Sequence, residues 1–183
     1  MKQILLLGLF ICCSFVSFGQ QDGPKQITPE MQQKINADID QLIPAFRQSL
    51  QKDALSQEAI LFAIDTFRIE QLASKKTDID YSTLGMNKSM SELADSYDQL
   101  MNRYYNKLLN RLDPKDKTIL IHAQKNWLAY RDAEKKLIGL LNSDTYTGGG
   151  TIYSNIRISQ YAALISKRTV EIFNYYNNIT KPE

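Results

Sequence analysis

The sequence of 183 residues has only two cysteines, Cys12 and Cys13, and one histidine, His122. Both cysteines lie in an apolar N-terminal stretch, so the chain after that stretch can form no disulfide bond of its own. A zinc site would then need several carboxylates beside His122, and no acidic cluster has that spacing. His122 lies off the apolar side of its predicted helix, where we expect it to face solvent. The sequence therefore predicts no metal and no other cofactor.

An excess of charge of one sign is also missing, because 22 basic residues stand against 20 acidic ones. There is no basic stripe of the kind that binds nucleic acid. No segment after the N-terminal stretch has the roughly 20 apolar residues of a membrane-spanning helix. We therefore expect no nucleic-acid partner and no membrane span in the mature chain.

Motifs for catalysis are missing as well. The chain has no Gly-x-Ser-x-Gly elbow to carry a nucleophilic serine. The run Gly148-Gly149-Gly150 lacks the Gly-Lys-Ser/Thr that follows in a phosphate-binding loop, and no strand precedes it. Asp132 and Glu134 are two residues apart on a predicted helix and so point away from each other. The sequence predicts a protein that is not an enzyme.

The N-terminus has the features of a cleavable signal peptide over residues 1–19. Lys2 precedes an apolar stretch, and Ser17 and Gly19 are the small residues expected before a cleavage site. A retained anchor is the alternative, and a lipoprotein site fits poorly because Ile11 precedes Cys12. Cleavage leaves 21 basic and 20 acidic residues. We expect export to the periplasm or the medium, with residues 20–27 as a disordered lead.

Helical periodicity dominates the first half of the remaining chain. Thr28-Pro29-Glu30 is a helix start, and Pro44 is expected to kink or split the helix that follows. A second helix begins near Ser56, so residues 28–76 form a helical pair. Thr77–Asn87 has no periodicity and is predicted to be a loop. Ser89–Glu92 is a capping box that would open the third helix.

The second half of the sequence predicts three long helices. Because the connections between helices are short, we predict a single domain. The third helix ends at Asp113, the fourth covers Pro114–Leu141, and the fifth runs from Ile152 to Tyr176 after the loop Asn142–Thr151. We predict an all-α bundle of about five helices with antiparallel neighbours. The inward side chains of the fourth helix are predicted to be Leu120, Ala123, Trp127, Tyr130, Leu137 and Leu141.

Polar residues at helical spacing lie beside these apolar faces. A charge at the edge of a core must be paired, because burial of an unpaired charge is very costly. We therefore predict that Arg131 pairs with a carboxylate, and Asp98 is the one we favour. A polar ligand pocket is one interpretation of the set, and an internal network that fixes helix register is the one we favour. The set consists of Asp98, Asn102, Tyr105, Gln124, Trp127, Arg131 and Arg168.

At these residues the chain resembles the LprI-like family, which is named for a mycobacterial lysozyme inhibitor. Asp98–Tyr105 is similar to the family element Asp-x-x-Leu-Asn-x-x-Tyr. Gln124–Glu134 is similar to the signature Gln-x-x-Trp-x-x-(Phe/Tyr)-Arg-Asp-x-Glu. The resemblance covers about residues 90–175, and residues 89–178 are predicted to form an LprI-like domain. Lys135 stands where family members usually carry a cysteine.

The resemblance implies an exported, non-enzymatic binding protein with lysozyme as a possible partner. Many lysozymes are strongly basic, so this nearly neutral chain gains little attraction from net charge. A partner-binding loop is predicted at Asn142–Tyr153, since tyrosines are common interface anchors. Its residues are Tyr146, Gly148, Gly149, Gly150 and Tyr153. The alternative is an envelope protein-interaction or structural module without effect on lysozyme.

Overall fold

The computed structural model describes residues 23–52 and 55–179, and every regular element in these two stretches is an α-helix. The all-α prediction is confirmed. The predicted signal peptide lies outside the described residues. There is one helix more than predicted, a four-residue helix at Asp144–Thr147 within the predicted loop Asn142–Thr151. The helices are α1 (Pro29–Lys52), α2 (Gln57–Ile79), α3 (Thr83–Arg111), α4 (Pro114–Leu141), α5 (Asp144–Thr147) and α6 (Ile152–Asn178).

Prolines and a serine hydroxyl begin three of the long helices where the sequence predicts. Pro29 and Pro114 occupy the first positions of α1 and α4, where a backbone N–H would have no helical partner. Ser56 caps α2, because its Oγ accepts a hydrogen bond from the N–H of Ala59 at 3.1 Å. These local signals suffice because they depend only on neighbouring residues.

The connection between α2 and α3 is much shorter than the sequence predicts. The predicted loop Thr77–Asn87 is wrong, because only residues 80–82 separate the two helices. Ser82 caps α3 by accepting a hydrogen bond from the N–H of Gly85 at 3.1 Å. The capping box predicted at Ser89 is therefore also wrong, and Ser89 is buried inside α3.

Asp80 stabilises this short connection through hydrogen bonds with Ser82. Its carboxylate accepts a hydrogen bond from the N–H of Ser82 at 3.1 Å, and the hydrogen bond from the Ser82 hydroxyl lowers the pKa of Asp80. Gly85 lies directly against Asp80, so a Cβ at that position would collide with both the carboxylate and the backbone carbonyl. The tight turn thus depends on a glycine one turn into α3.

Pro44 does not split α1, which continues through it to Lys52. A proline inside a helix removes one backbone hydrogen bond and costs about 3 kcal/mol or more in a regular helix. The carbonyl group left free is that of Asp40, an exposed residue, so water can hydrogen-bond it. The buried residues of α1, Ile35 and Ile39, both precede the proline. The predicted kink stays a prediction.

The core is centred on the long contact between α3 and α6, the most extensive pairing of helices. From α2, the ring of Phe62 stacks on that of Phe173 with centroids 3.8 Å apart and meets Tyr104 edge-on at 5.3 Å. Each such pair contributes about 0.5–1.5 kcal/mol beyond area burial. The most deeply buried side chains are Leu100, Met101, Tyr104, Ile165, Thr169 and Ile172.

Ion pairs fasten α1 and α2 to the rest of the bundle. Single exposed pairs are each worth about 0–1 kcal/mol, so they align the helices more than they stabilise them. Phe46 of α1 also stacks on Phe67 of α2 with centroids 4.4 Å apart. The pairs between α1 and α2 are Arg68–Asp40 and Lys75–Asp38, and those between α2 and α3 are Lys76–Glu92, Arg103–Asp65 and Lys107–Glu58.

Helix α4 meets the bundle along a face that was predicted only in part, since Leu120 and Trp127 face inward as predicted. Leu120 and Gln124 are its buried residues, and Trp127 is half-buried. The prediction that Ala123, Tyr130, Leu137 and Leu141 face inward is wrong, because all four are exposed. The side of α4 that meets the bundle therefore combines Leu120 and Trp127 with the polar Gln124.

Candidate functional site

A buried arginine forms the centre of the polar cluster between α3, α4 and α6. Arg168 is only 8% exposed and Gln124, which faces it from α4, is also 8% exposed. The Nε and Nη2 atoms of Arg168 donate to Oε1 of Gln124 at 3.2 and 3.0 Å. Its Nη1 donates to Oε2 of Glu171 at 3.2 Å. The buried positive charge is therefore bound by one amide oxygen and one carboxylate.

The two remaining contacts of this cluster, a cation–π contact and a hydrogen bond to sulfur, are weaker. The guanidinium of Arg168 lies 5.6 Å from the ring centre of Trp127, within the range of a cation–π contact. The amide nitrogen of Gln124 points at the sulfur of Met101, 3.7 Å away, which is a weak acceptor. The predicted grouping of Gln124, Trp127 and Arg168 is thus present in the structure.

Arg131 pairs with a carboxylate as predicted, but the choice of Asp98 as that partner is wrong. Arg131 instead binds its sequence neighbour Asp132, with Nε and Nη2 at 2.9 and 2.7 Å from Oδ1. Asp98 accepts a hydrogen bond from Asn102 of the next turn at 3.1 Å. Arg131 lies at the edge of the cluster, 5.8 Å from the ring centre of Trp127, so the charge that needs an internal partner is that of Arg168.

These outer residues nevertheless share one surface. Asp98, Asn102 and Tyr105 of α3 face Gln124 and Arg131 of α4 across an open groove of about 400 Å³. Asp98 and Tyr105 are half-buried, while Asn102 is exposed. The predicted polar set is therefore divided into an internal half around Arg168 and a half that lines a solvent-filled groove.

The predicted partner-binding loop is shaped by its own hydrogen bonds. Gly148 ends α5 with φ of 77°, and Gly149 and Gly150 follow with φ of 89° and 124°, all in a region that favours glycine. The N–H of Gly148 donates to the carbonyl of Asp144 at 3.0 Å. Tyr146 is 63% exposed, whereas Tyr153 is half-buried beside Gly150.

The side chains whose pKa values are shifted lie in the core and at helix ends. Burial raises the pKa of Tyr97, whose hydroxyl also donates to Glu70 at 2.7 Å. Burial raises the pKa of Tyr104 to about 12. Among the described residues, no three or more His, Cys, Asp or Glu are placed to hold a metal ion. His122 is exposed, as predicted.

Sequence reasoning missed Glu171 and the role of Met101. Glu171 follows Arg168 by three residues on α6, and this i, i+3 spacing is a signal that could have identified the pair. Met101 gives no comparable signal, because its contact with Gln124 depends on how α3 and α4 meet.

The fold and the cluster define an all-helical domain in which one buried arginine joins two helices. The comparison with protein families gives a match to the family described as lysozyme inhibitor LprI, over residues 73–172. That match covers more than half of the chain, which therefore belongs to this family, and it begins earlier than the resemblance around residues 90–175 suggests. Neither the curated proteins nor the solved structures give a match.

The matched region extends from the end of α2 through most of α6 and so contains the Arg168 cluster. Helix α1 and most of α2 precede it. In the part of the chain that the structure describes, no helix is long and apolar enough to cross a bilayer.

Proposed function

We propose that this chain is an exported, non-enzymatic protein that binds lysozyme and lowers its activity. Membership of the lysozyme inhibitor LprI family is the observation that carries the proposal. The signal peptide at residues 1–19 supplies the route to the compartment where lysozyme acts. The mature protein then consists of the helical pair α1 and α2 and, packed with it, the helices α3 to α6.

The loop between α4 and α6 is the contact surface that we favour. Glycosidases of this kind act with two carboxylates that flank the scissile bond in a cleft. A protein inhibitor therefore needs a projecting segment that can enter or cover that cleft. Tyr146 projects from the loop with 63% of its surface exposed, and the side-chain-free run Gly148–Gly150 allows close approach by a partner backbone.

Two features of the loop favour binding. Its internal hydrogen bonds, such as that from Gly149 N–H to Thr147 Oγ1 at 3.3 Å, reduce the entropy lost when it docks. Leu140 and Leu141 at the end of α4 are 51% and 53% exposed, which extends the apolar contact beyond Tyr146. Because the chain is nearly neutral, we expect inhibition to depend only weakly on salt.

The test is a lysozyme activity assay with the chain beginning at Gln20, repeated at several salt concentrations. Tyr146→Ala should weaken inhibition by tenfold or more if Tyr146 is a contact anchor, since such anchors contribute about 2 kcal/mol or more. Tyr81→Ala is the matched control, because Tyr81 is 58% exposed at the α2–α3 connection, and it should leave inhibition unchanged.

Absence of inhibition at micromolar protein would refute the proposal for the lysozyme tested. Inhibition that resists Tyr146→Ala would refute only the assignment of the loop. The alternative, an envelope protein-interaction module, is favoured by the exposed apolar groove between α4 and α6, which includes Tyr130, Leu137 and Leu164. It predicts a bound envelope protein and an unchanged lysozyme rate.

A further inference from the structure

A pocket of about 460 Å³ lies between α3, α4 and α6. Pockets that bind small molecules have volumes of about 300–1,000 Å³ and mostly apolar walls with a few polar groups. This pocket has both properties, and it is more enclosed than the groove between α4 and α6. Its apolar lining consists of Ala94, Ile138, Gly139, Ile158 and the ring of Tyr161.

A glycine of α4 leaves room in this pocket. A Cβ at Gly139 would meet nothing within 4 Å, although the residue is half-buried inside the helix. Glycine makes a helix less stable than alanine does at the same position. A residue that breaks a local rule of stability in this way is a sign of a functional site. What Gly139 provides here is open space beside three helices.

Contacts between α4 and α6 show which residues lie at each end of the pocket. Arg157 of α6 donates from Nη1 to the carbonyl of Asn142 at 3.3 Å. Tyr161 follows one turn later on α6, which is about 6 Å along the helix axis. Its ring centre lies 4.7 Å from Nζ of Lys135. The pocket therefore has Arg157 at one end, and Tyr161 with Lys135 at the other.

The wall from α3 places one more polar residue at each end. Two hydrogen bonds join α3 and α6 in the same order along both helices, between Asn87 and Ser154 and between Tyr97 and Thr169. Because α3 therefore runs parallel to α6, Ser91 lies towards the Arg157 end of the pocket. Asp95, one turn later on α3, lies towards the Tyr161 end.

The charges at the two ends are balanced differently. Lys135 and Asp95, at the Tyr161 end, have opposite charges that offset each other. Arg157 is half-buried, and no carboxylate of the described chain forms an ion pair with it. The buried Arg168, by contrast, has a carboxylate partner. A guanidinium that is partly removed from water is stabilised by an anion, and at Arg157 the described residues supply none.

We propose that this pocket binds a small organic molecule with one carboxylate and an apolar body. The carboxylate pairs with the guanidinium of Arg157, whose planar donors match two carboxylate oxygens, and accepts a hydrogen bond from the hydroxyl of Ser91. The apolar body lies against the open space at Gly139 and reaches Tyr161. Because the charges at the Tyr161 end cancel, one positive charge remains, and a monoanion matches it. The proposal does not rest on inhibition of lysozyme.

The experiment is a titration of the isotope-labelled chain beginning at Gln20, followed by its amide chemical shifts. Three probes share one phenyl ring and differ in charge: phenylpropionate is a monoanion, phenylpropionamide is neutral, and phenylalanine is a zwitterion. Phenylpropionate should bind saturably and shift the amide of Gly139. The amide should bind about tenfold more weakly or less, because it cannot form a charged hydrogen bond with Arg157. Phenylalanine should bind no more tightly than phenylpropionate.

Two variants test the two parts of the site. Arg157→Gln should weaken the binding of phenylpropionate by about tenfold or more and remove its advantage over the amide. Gly139→Leu should fill the pocket and block both probes. The controls are Arg47→Gln, at another half-buried arginine on α1, and Gly23→Leu, where a Cβ also meets nothing within 4 Å. Both controls should leave binding unchanged, and circular dichroism of each variant checks the helical fold.

Four results would overturn the proposal. The first is a wild-type chain that shows no saturable binding of phenylpropionate, and the second is equal affinity for phenylpropionate and its amide. The third is tighter binding of phenylalanine, since the pocket would then select an amino acid whose ammonium group pairs with Asp95. The fourth is wild-type affinity in a folded Gly139→Leu variant, because the probe would then bind elsewhere. None of these results bears on inhibition of lysozyme, which is measured without the probes.

Discussion

Replacement of Gln124 by leucine should destabilise the fold strongly, because it removes the acceptor of a buried guanidinium. Oε1 of Gln124 receives two hydrogen bonds from Arg168, and both residues are 8% exposed, so water cannot replace the lost oxygen. A hydrogen bond to a charged group is worth about 1.5–3 kcal/mol, and breaking a buried charged pair costs about 3–5 kcal/mol. Glu171 still binds Nη1 in the variant, so we expect a loss of about 3 kcal/mol.

The assay is thermal unfolding followed by circular dichroism. For a domain of this size, 1 kcal/mol shifts the melting temperature by about 2–4 °C, so Gln124→Leu should lower it by about 6–12 °C. Gln99→Leu, the same change at an exposed position of α3, is the control and should have little effect. Arg168→Met in the Gln124→Leu background should restore part of the loss, since an apolar pair can replace a buried polar one.

A melting temperature of Gln124→Leu within about 2 °C of the wild type would refute this reasoning. So would a double variant as unstable as the single one, because the unpaired guanidinium would then not be the cause. The first result would mean that the cluster around Arg168 contributes little to stability, and the second that Gln124 acts through contacts other than those to Arg168.

Three further predictions follow from particular contacts. Arg131→Leu should lower stability by less than about 1 kcal/mol in urea unfolding, because its partner Asp132 is exposed, whereas Arg168→Leu should cost several times more. Gly85→Ala should lower the free energy of unfolding by about 1–3 kcal/mol, because the new methyl group collides with Asp80. Gly139→Ala places its methyl group in open space and should raise the free energy of unfolding by up to about 1 kcal/mol in the same assay. Folding favours the neutral phenol of Tyr104, so its contribution to stability should be constant below pH 10 and fall as the pH rises towards 12. Tyr104→Phe should reduce that fall in denaturant titrations at a series of pH values.

Local signals predicted the parts of the fold that depend on neighbours in sequence. The prolines at positions 29 and 114 and the cap at Ser56 begin helices as expected. The junction of α2 and α3 was not predictable in this way. Its polar composition is typical of a loop, but Asp80 and Gly85 pack closely enough to turn the chain in three residues.

The sequence predicted which side chains lie near one another in the candidate site, but not which of them form hydrogen bonds and ion pairs. Helical spacing places Gln124, Trp127 and Arg131 on one side of α4, which the structure confirms. Which arginine is buried depends on the rotation of α6 against α4, and no spacing within one helix contains that information. The same rotation leaves Tyr130 and Leu137 in solvent, although their apolar character predicts burial.

Among the described helices, α6 is synthesised after the other five, and it supplies side chains that the earlier helices pack against. Phe62 has no ring to stack on until Phe173 has emerged, and the carbonyl of Tyr97 receives its bond from Thr169, at 3.0 Å. Contacts so distant in sequence form late, because the intervening chain must first be brought together. If the chain is exported as proposed, this order of folding would keep the bundle open while the chain crosses a translocation channel, which a folded domain would block.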